Sequence, residues 1–176
     1  MELFAALPFY KPSDKAIYIY DSNHEEIGYV QRNYTSRLNR VANHLPISIL
    51  ENTNIIGEQD GYTLEIQEQS FKANLLKLKW DVYLERDGNK ESFLMEDLTK
   101  ISTDSELAYH KKEHRYLLKK DGLSGNWLIS IEDSPFICAE IKVLKQVPNQ
   151  IKITLNTHDL KAIEVLGMYY VIHLVY

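Results

Sequence analysis

Apolar and polar side chains alternate with a period of two residues in three parts of the chain. The longest of these runs from 76 to 85, where Trp80 and Val82 stand among apolar even positions and charged residues fill most odd ones. The same alternation covers 62–67 and 150–156. Because successive side chains of a strand point to opposite faces, this period predicts strands with one apolar and one solvated face.

Weaker strand signals and turn residues extend the same pattern along the chain. Asp60-Gly61 and Asp87-Gly88 lie beside the clear strands, and such pairs favour tight hairpin turns. Consecutive antiparallel hairpins are therefore predicted. Residues 34–59 carry no clear period, and we expect an excursion or a short helix there. The weaker strand stretches are 15–21, 26–34, 91–95, 115–119, 127–132 and 137–144.

The last segment, HDLKAIEVLGMYYVIHLVY at 158–176, is apolar on nearly every side when it is drawn as a helix. Asn156 and Thr157 can cap a helix that begins near residue 158, and Asp159 would place negative charge in its first turn. A helix that is apolar all round must be buried on all sides. Its uninterrupted apolar part after Glu164 holds twelve residues, whereas about 20 are needed to span a bilayer core. We favour burial inside the fold, and a tail-anchored membrane protein is the alternative.

A fold that surrounds such a helix follows from these elements. A closed antiparallel barrel of many more than eight strands has an interior wider than its own side chains can fill, and a central helix occupies that space. We therefore predict a mainly β fold in which a barrel of about 12 strands encloses the C-terminal helix. The length of 176 residues fits a single domain over the whole chain, 1–176.

Composition narrows the classes of function and the compartment. Lys plus Arg number 20 against 25 Asp plus Glu, giving a net charge of -5, which disfavours a broad nucleic-acid surface. Cys138 is the single cysteine and has apolar neighbours, so we expect a buried thiol in a reducing compartment. The N-terminal MELFAALPFYKP is a poor signal peptide because it lacks a basic start and contains Pro8. These features predict a cytoplasmic protein, with peripheral membrane association open.

Several stretches resemble one known family. YLLKKDGLSGNWLISIEDSPFICAEIKVL looks like the late hairpin of the tubby C-terminal-like superfamily, which includes LURP-one-related proteins and phospholipid scramblases. QIKITLNTHDLKAIEVLGMYYVIHLVY is similar to the family's last strand and core helix, and AIYIYDSNHEEIGYVQRNY and KLKWDVYLERDGNK also look like family elements. The resemblance covers most of the chain from Lys15 onward.

The resemblance implies a barrel around a hydrophobic helix and, for function, binding without catalysis. Members of the superfamily are generally not enzymes; tubby proteins bind phosphoinositide head groups and scramblases act at membranes. We therefore expect a non-catalytic binding or scaffold module without a cofactor, whose partner is an anionic lipid surface or another protein. The basic residues of the tubby lipid site have no counterpart here, so no binding residue is carried over.

A basic cluster at 111–120 is the candidate binding site for anionic lipid head groups. Cations such as these can attract the head groups, each contributing about 1 kcal/mol near a charged surface. The other interpretation is that they are solvated strand ends that protect a sheet from edge pairing. Lys72, Lys77 and Lys79 form a second, smaller group with the same two interpretations. The members of the candidate head-group patch are Lys111, Lys112, Arg115, Lys119 and Lys120.

A possible metal-binding motif at 110–114 supports an alternative interpretation of this segment. His110, Glu113 and His114 satisfy H-x-x-E-H, in which two histidines one helical turn apart hold zinc and the Glu acts as base. The motif requires a helix and a third ligand, whereas the adjoining sequence favours a polar strand end. A metal-dependent hydrolase using His110 and His114 is thus the alternative function, and we assign no metal ligand. His173 is expected to be a core histidine within the terminal helix.

Overall fold

A computed structural model describes residues 1–8, 13–34, 53–70, 77–100, 105–144 and 149–176. Twelve strands and one helix lie in this part of the chain. The strands are β1 Glu2–Ala6, β2 Ile17–Tyr20, β3 Glu26–Arg32, β4 Ile55–Gln59, β5 Tyr62–Glu68, β6 Lys79–Arg86, β7 Asn89–Asp97, β8 Glu106–Lys111, β9 His114–Lys120, β10 Trp127–Ile131, β11 Ile137–Leu144 and β12 Gln150–Leu155; the helix is α1 Ala162–Val175.

The strands form one closed antiparallel barrel in sequence order. Each strand pairs with its neighbours in the chain, and β1 closes the ring by pairing with both β2 and β12. Leu3 and Ala5 of β1 lie opposite Ile153 and Ile151 of β12. The predicted mainly β fold, a closed barrel of about 12 strands around a C-terminal helix, is confirmed.

The alternating sequence pattern sets which side chains line the interior. Trp80, Val82 and Leu84 of β6 are buried, while the residues between them are half-buried on the outer face. Leu64 and Ile66 of β5 repeat the same arrangement. The inward rows meet the helix, so the core lies between the barrel wall and α1.

Three strands are not predicted by the hydrophobic pattern. β1 lies in the N-terminal segment that makes a poor signal peptide, and β8 lies in the segment of the H-x-x-E-H motif, which requires a helix. β4 lies inside 34–59, where an excursion or short helix was expected; residues 35–52 of that stretch lie outside the described residues. Each of these strands lacks a clean two-residue alternation, because apolar residues stand side by side at 3–6, 55–56 and 107–109.

Helix α1 fills the barrel as the apolar pattern predicted. It has 14 residues and is roughly 21 Å long. Ala162 to Ile172 and Leu174 are buried, so the helix is enclosed on all sides. It begins at Ala162, not near residue 158, because Leu160 is itself buried and the chain must first turn inward from β12.

The two ends of the barrel differ, and we name them for what joins the strands there. At the turn end, short turns link β2 to β3, β4 to β5, β6 to β7, β8 to β9 and β10 to β11, and the chain passes from β12 to the start of α1. At the loop end lie the opposite ends of these strands and the last turn of α1. His173 is therefore half-buried at the loop end, and the expectation of a core histidine is wrong.

Two further expectations concern single residues. Cys138 of β11 is 1% exposed, which confirms the predicted buried thiol, and burial raises its pKa. No helix in the described ranges is both long enough and apolar enough to cross a membrane.

Candidate functional site

The five cations of the predicted patch do not lie together. They belong to the hairpin of β8 and β9, whose strands run the length of the barrel. Lys111 and Lys112 lie at the turn end, whereas Lys119 and Lys120 lie at the loop end. Seven residues of strand separate the pairs by roughly 20 Å. A cluster in the sequence thus becomes two groups at opposite ends of the molecule.

Lys111 points into the barrel and meets a buried carboxylate. Its side chain is 7% exposed, and its ammonium nitrogen lies 2.8 Å from both carboxylate oxygens of Glu164, whose side chain is 1% exposed. The same nitrogen donates to the backbone oxygen of Asp159 at 2.7 Å. The Tyr109 hydroxyl donates to Glu164 at 2.7 Å. The charge of Lys111 is therefore compensated inside the barrel.

This network also fixes where the helix starts. Glu164 accepts a hydrogen bond from the backbone N–H of Lys161 at 2.8 Å, and the Gln59 side-chain oxygen accepts one from the N–H of Ile163 at 3.1 Å. First-turn N–H groups have no partner within a helix, so these two acceptors replace the cap predicted at Asn156 and Thr157. The signal available in the sequence was Glu164 itself, the only acid in an otherwise apolar helix.

Arg115 lies on the outer face of the barrel in a separate charged network. Its guanidinium pairs with Glu132 and with Glu96 at 3.4 Å, and Glu96 also contacts His110 at 3.1 Å. Burial acts to raise the pKa of Glu96, but the hydrogen bond and charge of His110 with the charges of Arg115 and Lys77 outweigh it and lower the pKa. Arg115 is thus engaged by carboxylates.

The histidines of the H-x-x-E-H motif face opposite sides of the sheet. The segment is a β-hairpin in which His110 lies opposite Arg115 and His114 lies opposite the inward-pointing Lys111. The zinc motif needs both histidines on one face of a helix, so the hydrolase reading of this motif is wrong. Within the described residues, no group of three or more His, Cys, Asp or Glu side chains is placed to hold a metal ion.

The turn end carries a pocket with mixed charge. Its volume is about 400 Å³, and Lys112, His114, His158 and Lys161 are among its lining residues. Acids predominate among the exposed charges in the turns and at the strand ends around it. The acids are Glu2, Glu25, Glu26, Glu58, Asp60, Asp87, Glu113, Asp133 and Asp159, and the bases are Arg86, Lys90 and Lys112.

The loop end has the opposite character. Among the described residues between its strands and at their last two positions, every exposed charged side chain is a lysine. The described acids there are less accessible than these lysines; for example, Asp97 accepts a hydrogen bond from the Tyr176 hydroxyl at 2.7 Å. The exposed lysines are Lys15, Lys77, Lys100, Lys119 and Lys120.

A hydrogen-bonded turn at the loop end presents an exposed leucine. Leu123 is 100% exposed in the turn between β9 and β10, directly after Lys119 and Lys120. Asp121 holds this turn by accepting hydrogen bonds from the Ser124 backbone N–H at 2.8 Å and from its hydroxyl at 2.5 Å. These bonds lower the pKa of Asp121. The turn therefore keeps Leu123 in solvent and does not fold it onto the barrel.

The second basic group predicted from the sequence contributes to the same end. Lys77 is exposed and Lys79 is half-buried at the start of β6. Lys72 lies outside the described residues. Neither Lys77 nor Lys79 was combined with Lys119 and Lys120 by sequence reasoning, because more than 30 residues separate them along the chain.

The fold and its surfaces define a class of protein, and comparison with known proteins supplies the family. A closed twelve-stranded antiparallel barrel filled by a buried C-terminal helix defines the fold class. The chain matches the family model for the Tubby C-terminal like domain over residues 3–176, and it belongs to that family. The resemblance found in the sequence is thereby confirmed. No curated protein and no solved structure matches the chain.

Proposed function

We propose that this protein is a non-catalytic binding module that docks its loop end onto an anionic lipid surface. The observation that carries the proposal is the charge polarity of the described residues: the exposed charges at the loop end are lysines, and most of those at the turn end are acids. Membership of the tubby-like family supports a binding module over an enzyme.

The turn that carries Leu123, together with Lys119 and Lys120 before it, provides the groups that would contact the lipid surface. Lys119 and Lys120 form no ion pair with another described residue, so their charges are available to anionic head groups. Each cation near such a surface contributes about 1 kcal/mol, and full burial of a leucine side chain contributes about 1.5–3 kcal/mol. The sum gives weak, reversible and salt-dependent association, in keeping with a peripheral protein.

The acidic turn end determines how the barrel would be oriented on the membrane. Glu25, Glu58 and Asp87 stand exposed there, and like charge keeps that end away from a negative surface. The turn-end pocket, although Lys112 and Lys161 line it, lies within this acidic field. The barrel would therefore approach a membrane with its axis upright and its loop end inward.

Vesicle sedimentation tests the proposal. Full-length protein is mixed with phosphatidylcholine vesicles, with or without phosphatidylserine, at low and physiological salt. Wild type should partition onto the phosphatidylserine vesicles, less so at the higher salt. Lys119→Glu/Lys120→Glu should lower the partition coefficient by roughly tenfold or more, because two attractive charges become repulsive. Leu123→Ser should weaken binding at both salt concentrations, because its contribution is not screened.

A matched control uses the other end of the molecule. Lys90→Glu/Lys112→Glu changes the net charge by the same amount, and both lysines are exposed at the turn end. This variant should bind vesicles as wild type does. Equal partition of the two double variants, or no preference of wild type for phosphatidylserine, would refute docking through the loop end and leave a protein partner as the better hypothesis.

A further inference from the structure

The helix does not sit midway between the walls of the barrel. It lies closest to β3, β4, β5 and β8. Gly167 permits this on the β5 side, since a Cβ there would lie 3.0 Å from the side-chain ends of Ile66 and Leu64. On the side of β9 to β11, a pocket of about 560 Å³ remains at the loop end, beside the last turns of α1.

The lining of this loop-end pocket combines rings with positive charge. Trp127 packs edge-to-face on Tyr169 with ring centroids 5.9 Å apart, and Tyr169 stacks with His173 at 6.5 Å. Lys120 lies at the rim, together with Tyr176, which is 42% exposed. Such a surface suits a planar apolar body that carries an anionic group.

Tyr169 brings a hydrogen-bond donor to the wall of the pocket. The residue is 5% exposed and lines the pocket, and its hydroxyl makes no hydrogen bond to any described residue. Burial alone raises its pKa to about 12. The Tyr169 hydroxyl is not one of the fully buried, unpartnered polar atoms of the described residues, so it reaches solvent. Because Tyr169 lines the pocket, the hydroxyl can donate a hydrogen bond to a molecule bound there.

From this geometry we propose that the loop-end pocket binds a small organic anion with a planar apolar body. Lys120 neutralises the anionic group, the Tyr169 hydroxyl donates a hydrogen bond to it, and Trp127 and Tyr176 contact the body. His173 stacks on Tyr169 at the wall of this pocket. The pocket ligand is a soluble molecule, so this site is separate from the vesicle contact and shares with it only Lys120.

The fluorescent probe 8-anilinonaphthalene-1-sulfonate tests the site, because it joins two aromatic groups to a sulfonate. Titration of the native full chain should give saturable binding of one probe per chain. Lys120→Met and Tyr169→Phe should each raise the Kd by about tenfold, which corresponds to the loss of one hydrogen bond or contact to a charged group. The uncharged N-phenyl-1-naphthylamine should bind more weakly and should be insensitive to Lys120→Met.

Matched variants guard against indirect effects. Lys112→Met removes a lysine from the turn end, and Tyr18→Phe removes an exposed hydroxyl from β2; both should leave the Kd unchanged. Near-ultraviolet circular dichroism of each variant confirms the native fold, since this probe also binds loosened proteins. Unsaturable binding, or a Kd that neither Lys120→Met nor Tyr169→Phe alters, would overturn the proposal. Tyr169→Phe should retain vesicle binding, so failure here is distinguishable from failure of membrane docking.

Discussion

At the scale of single residues, Lys111 has a role in the structure that its place in the sequence does not indicate: it pairs with Glu164 inside the barrel. In the sequence Lys111 is one of several neighbouring cations, whereas in the barrel it is a buried partner of the helix. Two ions taken out of water are stable only when they meet each other and further hydrogen-bonding groups. Tyr109, Asp159 and Lys161 supply those groups. We infer that this pair sets the depth of α1 in the barrel.

Loss of one member of this pair should be costly. Lys111→Met leaves the Glu164 carboxylate buried without its cation, and the free energy of unfolding should fall by about 3–5 kcal/mol. Lys111→Met/Glu164→Gln should be more stable than Lys111→Met, because a neutral amide still accepts from Tyr109 and leaves no buried charge. Urea unfolding followed by circular dichroism measures both.

Lys112 provides the control for this experiment. It follows Lys111 directly, and its only ion pair in the described part of the chain is an exposed one with Glu91 at 3.6 Å. Such pairs contribute little, so Lys112→Met should change the free energy of unfolding by less than about 0.5 kcal/mol. Similar costs for Lys111→Met and Lys112→Met would contradict a buried role for Lys111.

At the scale of elements, the β8–β9 hairpin explains why the metal motif fails. A spacing of four residues places two histidines on one face of a helix, but a tight turn between strands sends them to opposite faces. Lys112 occupies that turn with φ of 55°. A positive φ is uncommon for a residue with a side chain, and it allows the strands to reverse within two residues.

The packing of α1 against β5 gives a prediction for the helix. Gly167→Leu would force a side chain between the helix and Ile66 and Leu64, where even a Cβ would lie 3.0 Å from their terminal carbons. The free energy of unfolding should fall by about 3 kcal/mol, because an overpacked core must push its elements apart. Urea unfolding with intrinsic tryptophan fluorescence measures this.

An open glycine position serves as the comparison. A side chain at Gly122, in the exposed turn after β9, would meet no atom within 4 Å. Gly122→Leu should therefore change the free energy of unfolding by less than about 0.5 kcal/mol. Equal stability of the Gly167 and Gly122 variants would show that the helix does not lie against β5 as described.

At the scale of the whole molecule, Tyr109, Tyr116, Tyr169 and Tyr170 are buried in the core, and Tyr176 lies exposed at the loop end. Burial raises the pKa of Tyr116, Tyr169, Tyr170 and Tyr176 to about 12. Burial and the adjacent Glu164 carboxylate raise the pKa of Tyr109 further. Tyrosinate cannot be accommodated in this core, so the native state keeps protons that the unfolded chain releases.

Stability should consequently fall at alkaline pH. A raised folded-state pKa contributes stability that is fully present below the unfolded value of about 10 and is lost as the pH rises through the folded value. The urea midpoint should therefore decline from pH 10 toward pH 12. Absorbance at 295 nm should show the core tyrosines ionising together with unfolding. Ionisation of all tyrosines near pH 10 with an intact fold would contradict this.

The sequence by itself determined the class of fold. Alternation at β5, β6 and β12 specified strands with one apolar face, and the apolar segment that became α1 required enclosure. Both features are local: they follow from the side-chain period and from the cost of exposing apolar surface, and they do not depend on which strands are neighbours in the barrel.

The tertiary structure alone decided where charge and pockets lie. Strand direction sends Lys111 and Lys120, nine positions apart, to opposite ends of the barrel, and it brings Lys77 to the end that holds Lys120. Burial then pairs Lys111 with Glu164, 53 positions away, while Tyr169 is left without a hydrogen-bond partner among the described residues. Such outcomes depend on contacts between distant segments, which no local period encodes.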